Sequence, residues 1–238
     1  MSKTISIDFS VFEKKIGVTF ADKELLKQAF VHRSFLNESK ASGLKHNERL
    51  EFLGDAVLEL VVTDFLYHQF PDNDEGVLTA YRASLVNAVT LSSVSEKLGF
   101  NDYMLLSKGE AKDHGRARQF ILADAFESVT GAIYEDQGYD AAEKFIANHV
   151  LVLLPQIVKD GHYIDAKSKF QEAAQEKTGI TPQYRTIKEE GPDHDKRFTV
   201  GVFIAETQIA EGAGKSKQEA EQQAAQSALA SKQWQEGK

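Results

Sequence analysis

The sequence predicts two folds in series: an all-α domain, then a small α+β domain of order α-β-β-β-α. Three observations predict it. Apolar residues recur at threes and fours through residues 1–157. Beyond Pro155 that pattern gives way to alternating, strand-like runs between residues 181 and 214. Helical runs flank those strands, which suits a two-layer domain with both helices on one face of an antiparallel sheet. The expected boundaries are 1–157 for the helical domain, 158–163 for a linker and 164–238 for the α+β domain.

In chain order, the helical runs are residues 22–32, 47–69, 75–99, 117–138 and 140–154. Gly99 and Gly138 read as helix stops, Asp22 and Asp140 as N-caps. PDNDEG (71–76) is a turn cluster, and the polar, glycine-punctuated SKGEAKDHGRARQ (107–119) reads as a loop, either mobile or docked on an anion. In the second domain, SKFQEAAQEKTG (168–179) is an amphipathic helix stopped by Gly179. Strands follow with turns at GPDHDK (191–196) and Ala205–Thr207, and an alanine-rich helix closes the domain after residue 214.

Bulk composition narrows the chemistry. No cysteine is present, which removes disulfides, zinc-thiolate sites and thiol nucleophiles and fits a reducing compartment. The start, MSKTISIDFSVFEKK, lacks the apolar core of a secretory signal, and the apolar run at 150–158 is short and holds Pro155. A cytoplasmic protein with no membrane partner is the expectation. The net charge is −8, of which −7 belongs to residues 1–163 and −1 to residues 164–238. The overall charge therefore neither supports nor excludes a nucleic-acid partner.

The most informative run is NERLEFLGDAVL, residues 47–58. On a helix its three carboxylates, Glu48, Glu51 and Asp55, fall within roughly 60° of one another. Leu50, Leu53, Val57 and Val61 take the other side, and the apolar continuation LELVVTDFLY argues for a largely buried helix. In FILADAFESVTGAIYED, Asp124 and Glu127 share one helical face opposite Leu122, Phe126, Val129 and Ile133. Neither acidic pair has Lys or Arg one turn away. Two carboxylates about 4 Å apart repel by roughly 4 kcal/mol at an effective dielectric near 20. Either pair alone is as well read as a solvated helix face. Both together favour a hard divalent cation.

In the second domain, Lys215 and Lys217 open the last helix, where free N–H groups and the positive helix end favour phosphate. His194 and Lys196 lie in an exposed turn, and Gln171 and Glu172 on the first helix can address 2′-hydroxyls. Helix, turn and helix start together suit duplex RNA read by shape.

These motifs carry a resemblance. FQE (170–172), GPDHDKRF (191–198) and GKSKQEAEQQAA (214–225) resemble a double-stranded-RNA-binding domain, with Gln218 where many members carry a second consecutive lysine. NERLEFLGDAVL, FVHRSF (30–35), EGVLTAYRASLVN (75–87) and ILADAFESVTGAIYED (121–136) resemble the bacterial ribonuclease III catalytic domain. The resemblance implies an endonuclease that hydrolyses double-stranded RNA and processes ribosomal RNA precursors. It implies metal-binding places at Glu51, Asp55, Asp124 and Glu127, with Asp55 and Glu127 catalytic and Glu48 accessory. Mg²⁺, with Mn²⁺ as substitute, would screen the phosphodiester and lower the pKa of an attacking water, leaving 5′-phosphate and 3′-hydroxyl ends. A homodimer with staggered cuts and short 3′ overhangs is also implied, Phe52 inserting into the partner, against a plain core role for that ring.

Other residues take plainer readings. His32 is structural, Trp234 caps the last helix, Lys108, Arg116 and Arg118 are surface charge, and Glu75 and Arg82 are supporting or surface groups. Two rivals to the enzyme remain: an RNA-binding protein that does not cleave, and a metal hydrolase acting on small phosphorylated substrates.

Overall fold

The computed structural model describes residues 7–39, 43–113, 115–160, 166–192, 196–231 and 234. The chain divides into two compact units, Met1–Tyr163 and Ile164–Lys238.

The first unit is helical: α1 Ser10–Ile16, α2 Lys23–Ala29, α3 Arg33–Ser39, α4 Glu48–Gln69, α5 Glu75–Val86, α6 Ala88–Leu98, α7 Arg116–Gln137, α8 Tyr139–His149 and α9 Leu154–Asp160. Asp22 caps α2 as its type predicts, accepting from the N–H groups of Glu24 and Leu25. Gly99 ends α6 in the left-handed region, at φ 78°, and Gly138 follows α7 at φ 84°. Several expectations shift. The run at 75–99 is two helices, because Asn87 is extended (ψ 158°) and its side chain accepts from Thr90 N–H at 2.9 Å to start α6. Asp140 is not an N-cap but lies in the first turn of α8, after Gly138. Pro155 does not end the helical domain: it sits in the first turn of α9, where a missing N–H costs nothing, and α9 takes in residues 158–160 of the expected linker.

The polar stretch at 107–119 is tied down where it starts. Lys108 N–H donates to Glu38 at 2.7 Å and Ser107 N–H to Ser34 Oγ at 3.1 Å, and from Arg116 onward the chain is already α7. The stretch Tyr139–Lys159 is long and apolar enough to cross a membrane by length and composition. Its apolar residues Ala142, Phe145, Ile146, Val150, Leu151 and Leu154 are nevertheless committed to the core of this unit.

α4 and α7 lie at the centre. All of Leu122, Phe126, Val129 and Ile133 on α7 are buried, as are Leu50, Val57 and Val61 on α4. α4 is not covered all round, however: Phe52, Leu60 and Tyr67 are 81%, 57% and 67% exposed. They fall within roughly 80° of one another, a bare apolar stripe beside the acidic face.

In the second unit, α10 (Ala166–Thr178) and α11 (Lys217–Ala230) accompany a sheet of β1 (Gln183–Glu190), β2 (Arg197–Ile204) and β3 (Thr207–Gly214), antiparallel in the order β1-β2-β3. Phe170, Val202, Ile204 and the alanines Ala224, Ala225 and Ala228 make its core. The alanines explain the close seat of α11: a Cβ on Gly212 of β3 would meet the Ala224 nitrogen at 2.2 Å.

Candidate active site

Two glycines build the site. A Cβ on Gly54 would lie 1.7 Å from the carbonyl oxygen of Glu127, and one on Gly131 would lie 2.1 Å from that of Leu50. α4 and α7 thus cross backbone on backbone, closer than any side-chain-bearing residue permits. The crossing lies three residues beyond Glu51, one before Asp55 and four beyond Glu127, so the acids of both helices meet beside it. Neither glycine stood out by spacing alone. Gly54 lies inside an apolar helix where glycine costs about 1 kcal/mol against alanine, and that cost was the available signal of a close approach.

Carboxylate oxygens of Glu51, Asp124 and Glu127 lie within 4.8 Å of one another, all three residues half-buried. Asp55 stands outside that trio, exposed, but its charge acts on it. Burial, then Asp124, Glu48 and Asp55, push Glu51 up to about 7. Burial, then Asp55, Asp124, Glu51 and Glu59, push Glu127 up to about 8. Burial also raises Asp124. Among the described residues none of the four acids has an ion-pair partner. The site is a knot of uncompensated negative charge, and an all-oxygen donor set of this kind fits a hard divalent cation.

Glu48 differs. Its carboxylate is 3.5 Å from Arg33 Nη1 and 3.6 Å from His46 Nδ1, so it ties the start of α4 to α3. Glu59, not singled out by sequence, adds its charge to Glu127 and is itself held by Arg82 at 3.2 Å. Arg82 also donates to Thr63 at 3.1 Å and so clamps α5 to α4, a supporting place rather than a reacting one. Glu75 is exposed in the first turn of α5. His32 is structural: its Nδ1 pairs with Ser34 Oγ at 2.8 Å, and burial lowers its pKa. Arg118 donates to Asn101 at 2.8 Å, Arg116 packs over Phe120, and Lys108 lies 3.8 Å from Glu38.

In the second unit Gln171 and Glu172 are exposed on α10, and Lys215 and Lys217 are exposed at the start of α11. His194 lies outside the described residues. The start of α11 is not bare: Ser216 Oγ accepts from Glu219 N–H at 3.1 Å, and the Glu219 carboxylate accepts from Lys215 N–H at 2.7 Å. This capping pair occupies N–H groups that the sequence reading left free for phosphate. The lysine side chains are therefore the cations on offer. Lys217 Nζ is 2.9 Å from Glu189, and Lys196 Nζ is 3.4 Å from the same carboxylate. Trp234 meets Phe170 edge-on at 5.0 Å under Lys177, so it packs against α10 rather than capping α11 alone as expected.

Residues 22–154 match the Ribonuclease-III-like family and residues 166–232 the double-stranded RNA binding motif. The chain is 43% identical to Ribonuclease 3 of Pelotomaculum thermopropionicum over 220 residues, covering 92% of this chain and 91% of that one. It is 45% identical to Ribonuclease 3 of Enterococcus faecalis over 221 residues, covering 92% and 95%. The crystal structure of the nuclease domain of ribonuclease III from Campylobacter jejuni aligns with a TM-score of 0.57 at 36% identity, over 64% of this chain and 99% of that one. A helical nuclease domain followed by a duplex-RNA-binding domain defines an endoribonuclease acting on double-stranded RNA. The chain belongs to the ribonuclease III family.

Proposed function

We propose that the chain hydrolyses double-stranded RNA at a divalent-metal site made by Glu51, Asp55, Asp124 and Glu127. The observation that carries the proposal is the trio of carboxylates within 4.8 Å, raised in pKa and without a cation of its own. Glu51, Asp124 and Glu127 bind the ion, Mg²⁺ with Mn²⁺ as substitute, and Asp55 completes the set from the exposed side. When bound, such an ion supplies positive charge for the phosphodiester, a more acidic water and support for the leaving oxygen.

The protein's own contribution is geometric. Glu127 sits against the glycine crossing, half-buried, and holds its carboxylate where it can both bind metal and orient the attacking water. Asp55, one turn beyond Glu51 and open to solvent, faces the side from which RNA arrives. No His or Lys base is required. Attack by water leaves 5′-phosphate and 3′-hydroxyl ends.

One such site cuts one strand. The bare stripe of Phe52, Leu60 and Tyr67 on α4 supports a homodimer, and Phe52 is no core residue. Phe52 stands at a groove of about 850 Å³ whose walls mix leucines (Leu25, Leu36, Leu44, Leu53) with charged side chains such as Glu48 and Arg49. An exposed apolar ring beside a groove on the same surface suits an isologous two-fold contact. Two sites across the duplex would give staggered cuts with short 3′ overhangs. Gln171, Glu172, His194, Lys215 and Lys217 engage the duplex, precursors of ribosomal RNA are the expected substrates, and the cytoplasm the expected place. Long duplex RNA incubated with Mg²⁺, with EDTA, and with Glu127→Ala tests the reading. Cutting only by the unmodified chain in Mg²⁺ is expected; binding with no magnesium-dependent cutting contradicts it.

A further inference from the structure

Glu189 is the last but one residue of β1, and it joins two cations that the chain delivers from different places. Lys196 comes from the end of the β1–β2 turn, and Lys217 from the first turn of α11. Their Nζ atoms lie 3.4 Å and 2.9 Å from the one Glu189 carboxylate. Lys217 also lies over the Phe198 ring, 5.5 Å from its centre, and Phe198 is the cross-strand partner of Glu189. The trio is held by packing as well as by charge. Hydrogen bonding and charge from Lys217, then Lys196, lower the pKa of Glu189, so the carboxylate stays ionised throughout the neutral range.

The trio carries a net charge of +1 where the two lysines alone would carry +2. A phosphate that approaches Lys217 must push the carboxylate aside or share the lysines with it. Exposed ion pairs are weak, and a duplex that makes several contacts at once can displace one. A ligand with fewer phosphates in the right places gains less from the exchange.

We propose that Glu189 is a built-in counterion for Lys196 and Lys217, a specificity residue that tempers phosphate binding at the start of α11 and is exchanged for the RNA backbone when duplex RNA docks. The inference rests on the reading that Lys217 contacts RNA.

The exchange has a signature beyond affinity. Nucleic-acid binding weakens with salt by a slope of about 0.9 per phosphate neutralised. Each extra net positive charge on the protein surface that meets phosphate steepens that slope, whereas a merely structural glutamate leaves it alone. The test is binding of a fluorescein-labelled duplex RNA by the full chain in EDTA, over a range of salt, for the unmodified protein, Glu189→Gln, Lys217→Ala and the double variant. Glu189→Gln is expected to bind roughly two- to fivefold more tightly, the worth of one exposed ion pair. Its salt slope should be steeper by about 0.9. Lys217→Ala should weaken binding, and in that background Glu189→Gln should recover less than it gains alone. Equal or weaker binding by Glu189→Gln, or an unchanged slope, overturns the counterion role while a weakened Lys217→Ala leaves the RNA-contact reading standing. If Lys217→Ala binds as the unmodified chain does, the RNA-contact reading itself fails, and the inference with it.

Discussion

The two units treat charge in opposite ways. In the helical unit, backbone contact at Gly54 and Gly131 forces acids from two helices together, and among the described residues no cation answers them. In the RNA-binding unit Lys217 at the start of α11 is ion-paired with Glu189, and the backbone N–H of Lys215 is taken by Glu219. The first surface has the donor set for an ion from solution. The second holds a lysine that is already ion-paired, which under the counterion proposal is exchanged for RNA phosphate. Chemistry that must concentrate positive charge on one phosphodiester suits the first arrangement. Reversible contact with a backbone of many phosphates suits the second.

That contrast can be broken most sharply by comparing Glu127→Gln with Lys217→Ala in the same cleavage assay. Glu127→Gln should lower kcat by about a thousandfold or more and leave RNA affinity in EDTA unchanged. Lys217→Ala should raise KM a few-fold with little change in kcat. Similar effects of both variants on kcat would erase the distinction.

The next largest effect tests what brings the acids together. Gly131→Ala places a methyl against the Leu50 carbonyl, with helix backbone on both sides and no flexible side chain to yield. Urea unfolding should show a loss of about 3 kcal/mol, at the upper end for overpacking. Any folded remainder should cleave poorly because α4 and α7 stand further apart. A loss below about 0.5 kcal/mol, within the range of ordinary surface changes, would mean the crossing relaxes easily.

A smaller effect is the dependence of stability on pH. Glu51 and Glu127 hold protons more tightly folded than unfolded, at about 7 and about 8 against an ordinary 4.5. The contribution is fully present below the unfolded value and is lost as pH rises through the folded ones. Thermal unfolding without metal should therefore show a falling midpoint from about pH 4.5 to about pH 8, flattened in Glu127→Gln. A midpoint that rises across this window would show that the acids are already compensated.

Much of this was legible in the sequence, for identifiable reasons. The acidic faces of α4 and α7 follow from residue spacing alone, since helix periodicity fixes which side chains share a side. The α-β-β-β-α order follows from the change of period after residue 155 and from turn residues. What escaped depended on contacts between elements. Asn87 breaks a run that is helical by pattern, through a cap its side chain makes. Glu48 was read as accessory, but the Arg33 and His46 groups that hold it were not foreseen. The apolar character of Leu60 and Tyr67 suggested burial, whereas the single chain leaves them bare. The capping role of Glu219 needed only the Ser-x-x-Glu spacing at 216–219, a signal present and unused.

A divalent cation that completes the acid cluster must displace protons. Carboxylates that hold protons near neutrality must give them up to a metal. Calorimetric titration of the RNA-free chain with Mg²⁺ at neutral pH, repeated in two buffers of different ionisation heat, measures both binding and the protons released. Saturable binding with net proton release, both lost in Glu127→Gln, is the predicted result. No saturable binding, or binding that releases no protons and survives Glu127→Gln, would show that the four acids do not hold the ion.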